Sequence, residues 1–123
     1  MTAGVFSPAG STTIDPGPLL ALAADVGPDA TRSFAQRYAT MLPQRISRLQ
    51  TAVLTGDLED GFVAALSLHT SSTMVGAHHL AAEAQRLAAL LRAGDAAAAR
   101  AAVAPLLGQA TAVTRALDTV APR

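Results

Sequence analysis

Along most of the chain the apolar residues recur every third or fourth position, and no segment alternates apolar and polar with a period of two. That pattern puts one apolar stripe on one side of a helix in each segment and predicts no strand. Leu19, Leu20, Leu22 and Val26 form the apolar side of a short first helix. Asp15 is placed to cap it, Pro16 takes the first helical position, and Gly27-Pro28 ends it. Phe34, Tyr38, Leu42, Ile46, Leu49 and Val53 mark a second helix, with Asp29 as its expected cap. Pro43 falls inside that stripe, removes a backbone donor and crowds the carbonyl four residues back, which predicts a kink or a local break.

Gly56-Asp57 closes the second helix and caps a third, with Glu59 and Asp60 in the first turn, where the helix dipole favours acids. Leu58, Phe62, Ala65, Leu68, Ser72 and Val75 share its inward face. Gly76-Ala77 either interrupts this helix or permits close packing. A fourth helix runs from about His78 with Leu80, Ala84, Leu87 and Leu91 inward, and Gly94-Asp95 repeats the stop and cap. Ala99, Val103, Leu106, Ala110, Val113, Leu117 and Val120 form the stripe of the last helix, which Pro105 should bend. The fold expected is all-α: an antiparallel four-helix bundle with a short additional N-terminal helix. Residues 1–13 are small, polar and interrupted by Gly4, Pro8 and Gly10, so a flexible tail is expected there and the bundle is assigned to residues 14–120.

Composition narrows the function. The length, 123 residues, suits one domain that needs no disulfide or structural metal. The absence of cysteine excludes thiol metal sites, iron–sulfur clusters and CxxC redox chemistry. Nine basic residues, all arginine, balance nine acids and are scattered. Without lysine there is no Schiff-base or P-loop lysine chemistry. Three Phe, one Tyr and no basic cluster argue against nucleic acid and against an anionic membrane surface. The N-terminal residues lack the basic start and apolar core of a signal peptide, and no stretch approaches the roughly 18 apolar residues of a membrane span. A cytoplasmic protein is expected.

One segment carries a specific pattern: Ala64-Ala65-Leu66-Ser67-Leu68-His69-Thr70-Ser71-Ser72-Thr73-Met74-Val75-Gly76-Ala77. It resembles the signature of histidine-containing phosphotransfer (HPt) domains, Ala-His-x-Leu-Lys-Gly-Ser-Ser-x-x-Leu-Gly-Ala. Matching Gly76-Ala77 to its end sets Ala65, Leu68, Ser71, Ser72 and Val75 on like positions. The resemblance extends over about residues 14 to 118 and takes in Asp15-Pro16, residues 45–49, Gly56-Asp57, the leucine pattern over residues 80–91 and Gly94-Asp95. The departures fall on the chemistry: Leu66 takes the phosphorylated histidine's position, His69 the lysine's and Thr70 the glycine's. Leucine has no nucleophilic nitrogen and cannot carry a phosphoryl group. The chain thus resembles a degenerate HPt domain that keeps the scaffold and lacks the phosphoacceptor.

On a helical wheel Ala65, Leu68, Ser72 and Val75 point inward, leaving Leu66, His69, Thr70 and Thr73 on an outward strip. The resemblance puts the docking face for a response-regulator receiver domain there. His69 is the alternative nucleophile, with a reference pKa of about 6.5. It is displaced from Leu66 by about 4.5 Å of rise and roughly 60° of rotation, which disfavours in-line transfer in the family's usual pose. His78 and His79 diverge by about 100° on a helix and suit a helix end better than a shared metal. Ser72 is expected to fill a tight contact and bond a carbonyl of the preceding turn. Arg45, Arg48, Arg86 and Arg92 read as solvated flanks, Arg92 near a helix C-terminus.

The function implied by the resemblance is an interaction module of bacterial two-component (phosphorelay) signalling. It would dock a receiver domain or a histidine kinase through Leu66, His69, Thr70 and Thr73 without enzymatic activity, cofactor or metal. The alternatives are a phosphorelay intermediate using His69 and a structural bundle that self-associates through the last helix.

Overall fold

The computed structural model describes residues 13–120, and all but the last of the thirteen residues expected to form a tail lie outside them. Among the described residues there are five helices and no strand: α1 (Pro16–Val26), α2 (Pro28–Thr55), α3 (Leu58–Met74), α4 (His78–Arg92) and α5 (Ala96–Val120). The all-α expectation holds. The Asp15 carboxylate accepts from Gly17 N at 2.9 Å, Asp57 from Asp60 N at 3.0 Å and Asp95 from Ala98 N at 3.1 Å, so three of the four capping acids read from the sequence do cap.

One local expectation needs correction. Asp29 does not cap α2: Gly27 holds the cap position at φ 92°, Pro28 opens the helix, and Asp29 sits in its first turn beside Arg32 at 3.5 Å. Of the two outcomes expected at Pro43, a kink or a local break, the break does not occur: α2 is continuous over 28 residues, with Pro43 on an exposed position and the packed stripe on either side holding the helix across the missing donor. α5 likewise runs through Pro105.

The helices pack in a closed order, α2 on α3, α3 on α4, α4 on α5 and α5 back on α2, while α1 lies against α2 and the edge of α3. Three cross-links fix the direction of the first pair. Tyr38 meets Ser72, Arg45 meets Ser67 and Ser71, and Arg48 meets Asp60, so the α3 number falls as the α2 number rises and the two run antiparallel. Leu42, Leu49, Leu68, Leu80, Leu87, Leu106 and Leu117 are fully buried on the facing stripes, each worth about 2 kcal/mol in area removed from water. Alanine fills the seams: Ala65, Ala84 and Ala99 are completely buried. Small side chains bring α3 and α4 close enough that a Cβ on Gly61 would stand 3.1 Å from Leu91 Cδ1.

The α3–α4 junction does two things at once. Gly76, at φ 82°, ends α3 in a conformation that side chains rarely adopt. Its carbonyl accepts from Asp15 N at 2.9 Å, and the Asp15 backbone presses so close that any Cβ on Gly76 would collide with the Asp15 carbonyl oxygen. The glycine therefore both interrupts the helix and admits a neighbour, combining the two alternatives that the sequence left open. None of the helices among the described residues is long and apolar enough to cross a membrane.

Candidate functional site

α3 carries the signature segment, and its buried side determines what the outer side offers. Ala65, Leu68, Ser72 and Val75 are buried as the wheel predicts. Leu66, Thr70 and Thr73 are exposed. His69 is not fully with them: its ring is half-buried, and Nδ1 donates to the carbonyl of Ala81 on α4 at 2.9 Å. A carbonyl only accepts, so Nδ1 carries the hydrogen and the lone pair of the neutral ring is on Nε2. The Thr73 hydroxyl is turned back to the His69 carbonyl at 2.9 Å. The expected strip of four thus loses His69 to the α4 side, because the offset of about 60° between positions 66 and 69 turns that ring toward the neighbouring helix.

The apolar surface continues in the other direction. Val63 is 52% exposed, Leu66 40% and Met74 49%, and with Thr70 they run along α3 at steps of three and four. Sequence reasoning missed Val63 and Met74, although both lie within about 80° of Leu66 on the wheel. Beside this stripe, on the α2 side, Arg45 Nη1 donates to Ser71 Oγ at 3.2 Å and to Ser67 Oγ at 3.4 Å. Ser71 donates in turn to the Ser67 carbonyl at 2.9 Å. Ser71, then, makes the back-bond assigned to Ser72. Ser72 is instead fully buried against Tyr38, with 2.7 Å between Oγ and the phenol oxygen.

Charges around this face are largely matched locally. Arg48 binds Asp60 through Nη2 at 2.5 Å, which holds the Asp60 carboxyl below the usual carboxylate range and raises the guanidinium. Arg92 lies over the Phe62 ring, 5.7 Å from its centroid, so it braces the open ends of α3 and α4 rather than only closing the α4 dipole. His78 Nε2 donates to Asp15 Oδ2 at 3.0 Å. The Gly17 amide, and after it the His78 ring, hold the Asp15 carboxyl below its ordinary value. His78 and His79 are both exposed, as a helix-end role requires. No group of three or more His, Asp or Glu is gathered to hold a metal ion among the described residues.

Burial pushes the Tyr38 hydroxyl up to about 12 against a smaller opposing effect of its bond to Ser72. It stays neutral and serves as a packing and hydrogen-bonding group. What the outer face offers chemically is an apolar stripe with a cation at its border, suited to contact another surface; its one imidazole is tied to α4. No family model matches the chain, and neither does any of the curated proteins or solved structures compared with it.

Proposed function

We propose that this chain is an HPt-like module of bacterial two-component (phosphorelay) signalling that docks a response-regulator receiver domain or a histidine kinase without itself being phosphorylated. Leu66 carries the reading. It occupies the phosphoacceptor's place in the signature, has no nitrogen to receive a phosphoryl group, and stands 40% exposed in an apolar stripe rather than in the core. The finer architecture belongs to the same reading. The closed packing order of α2 to α5 and the antiparallel α2–α3 pair support an antiparallel four-helix bundle of HPt-like arrangement, with α1 as the additional helix.

The test is a binding titration against receiver domains and histidine kinases from the same source, comparing wild type with Leu66→Asp, with a phosphodonor present and absent. Saturable binding lost in Leu66→Asp, with no phosphohistidine on this chain in any sample, is the expected result. Binding indifferent to that substitution, or no binding to either class, overturns the proposal.

One observation favours a second reading, a relay through His69. The bond to Ala81 fixes the hydrogen on Nδ1 and leaves Nε2 with its lone pair, the form a nucleophile needs. An acid-labile, base-stable phosphoramidate lost in His69→Gln would establish it. The same bond ties the ring to α4, away from the Leu66 stripe, which is why docking is the first reading.

A further inference from the structure

We infer that Arg45 is the specificity-determining contact of this same surface, and that it receives a carboxylate side chain of the docking partner. The inference rests on the docking reading and adds the chemistry of the partner to it. Three other arginines each meet a carboxylate or a ring: Arg32 has Asp29 at 3.5 Å, Arg48 has Asp60, and Arg92 has Phe62. Arg45 bonds only the hydroxyls of Ser67 and Ser71, and no carboxylate among the described residues is within ion-pair distance of it. Neutral hydroxyls satisfy hydrogen bonds but leave the charge unmatched.

Geometry adds to this. Both bonds leave from Nη1, so the rest of the fork, with its remaining N–H donors, has no acceptor among the described residues. A planar fork of that kind fits the two oxygens of a carboxylate side by side. The serine pair also holds the guanidinium at the margin of the Val63, Leu66 and Met74 stripe in the free protein, so little side-chain freedom is lost when a partner arrives. Once a partner covers the stripe, water leaves and a carboxylate placed opposite Arg45 is attracted more strongly, while a lysine or arginine there is repelled. An apolar patch edged by an acid is therefore the partner surface that fits.

The experiment measures the Kd of each receiver domain or histidine kinase that binds wild type, at low and at physiological salt, for Arg45→Gln, Arg45→Lys, Leu66→Asp and Arg100→Gln. Arg45→Gln is expected to weaken binding about tenfold and flatten its salt dependence. Arg45→Lys restores only part of the loss, because it returns the charge without the fork. Arg100, on α5 beside the shallow α2–α5 groove, serves as the control for overall charge and leaves binding unchanged. Wild-type binding by Arg45→Gln, together with loss in Leu66→Asp, overturns the inference and leaves the docking reading standing. Equal losses in Arg45→Gln and Arg100→Gln also overturn it, as a bulk charge effect. No binding of wild type to any receiver domain or histidine kinase removes both. If thermal unfolding shows Arg45→Gln to be unfolded, Ser71→Ala frees the guanidinium instead; a several-fold weakening supports the inference and unchanged binding overturns it.

Discussion

The Tyr38 hydroxyl and the Ser72 hydroxyl lie 2.7 Å apart in the interior between α2 and α3, thirty-four residues apart in the chain. Each is the other's polar partner in an otherwise aliphatic seam formed by Leu42, Leu68 and Val75. Two neutral hydroxyls so placed fix the register of the helices as well as their separation, since sliding either by a turn leaves a buried oxygen unmatched.

Removing one hydroxyl is therefore expected to cost more than removing both. Tyr38→Phe leaves the Ser72 hydroxyl buried, and Ser72→Ala leaves that of Tyr38; each should destabilise by about 1–3 kcal/mol. The double variant should lose less than the sum of the two. Urea unfolding of all four proteins measures the coupling, and strict additivity would show that the hydroxyls do not depend on each other.

Tyr38 also sets an alkaline limit. Its folded pKa, about 12, is raised above the ordinary 10.0, so the folded protein holds that proton where the unfolded chain has lost it. The stability this supplies is fully present below pH 10.0 and is lost as pH rises toward about 12. Thermal unfolding across that range should show a decline that is smaller in Tyr38→Phe.

On the acid side the expected direction is opposite. The Asp15 and Asp60 carboxyls are held below their ordinary values by Gly17 and His78 and by Arg48, so their contribution is present above the usual carboxylate range and fades as pH falls through it. Asp15→Asn and Asp60→Asn should flatten the acid limb of a stability profile. A profile identical to wild type would show that these exposed pairs contribute nothing measurable.

Gly76→Ala should destabilise by about 2 kcal/mol or more, through a positive φ and a collision with the Asp15 backbone that no side-chain rotation relieves. The same change at Gly94, which also has positive φ but nothing within 4 Å, should cost only the φ strain. Equal losses at the two sites would mean that the Asp15 approach carries no energetic weight.

Leu66→Asp should leave the fold almost intact, within about 1 kcal/mol, because the side chain is half in water and the cost is mainly helix propensity. Leu68→Ala, two residues on and fully buried, should lose about 2–5 kcal/mol. That contrast, read by thermal unfolding, is what allows a binding defect in Leu66→Asp to be assigned to the surface.

How much of this was legible in the chain depends on distance along it. The apolar phase of α3 and α4, the stops at Gly56, Gly76 and Gly94, and the caps at Asp15, Asp57 and Asp95 are all set within about one turn of sequence, and the structure keeps every one. Asp29 was misplaced because Gly27 and Pro28 compete for the same helix start, a contest decided by how α1 turns into α2. Pro43 left a kink or a break open, and α2 stays continuous because the core contacts of Leu42 and Ile46 on either side outweigh one lost hydrogen bond.

The sequence by itself determined which residues of α3 face the core, that Leu66 is left outside, and that no cysteine or lysine chemistry is available, because these follow from helical period and residue type. Only the tertiary structure decided where the outer side chains go. His69 turns to Ala81, Ser72 to Tyr38 and Arg45 to Ser67 and Ser71, each because a second helix brings an acceptor within 3.5 Å. A period assigns a residue to a face of its own helix, but the partner it meets there belongs to another helix, and that is fixed by packing.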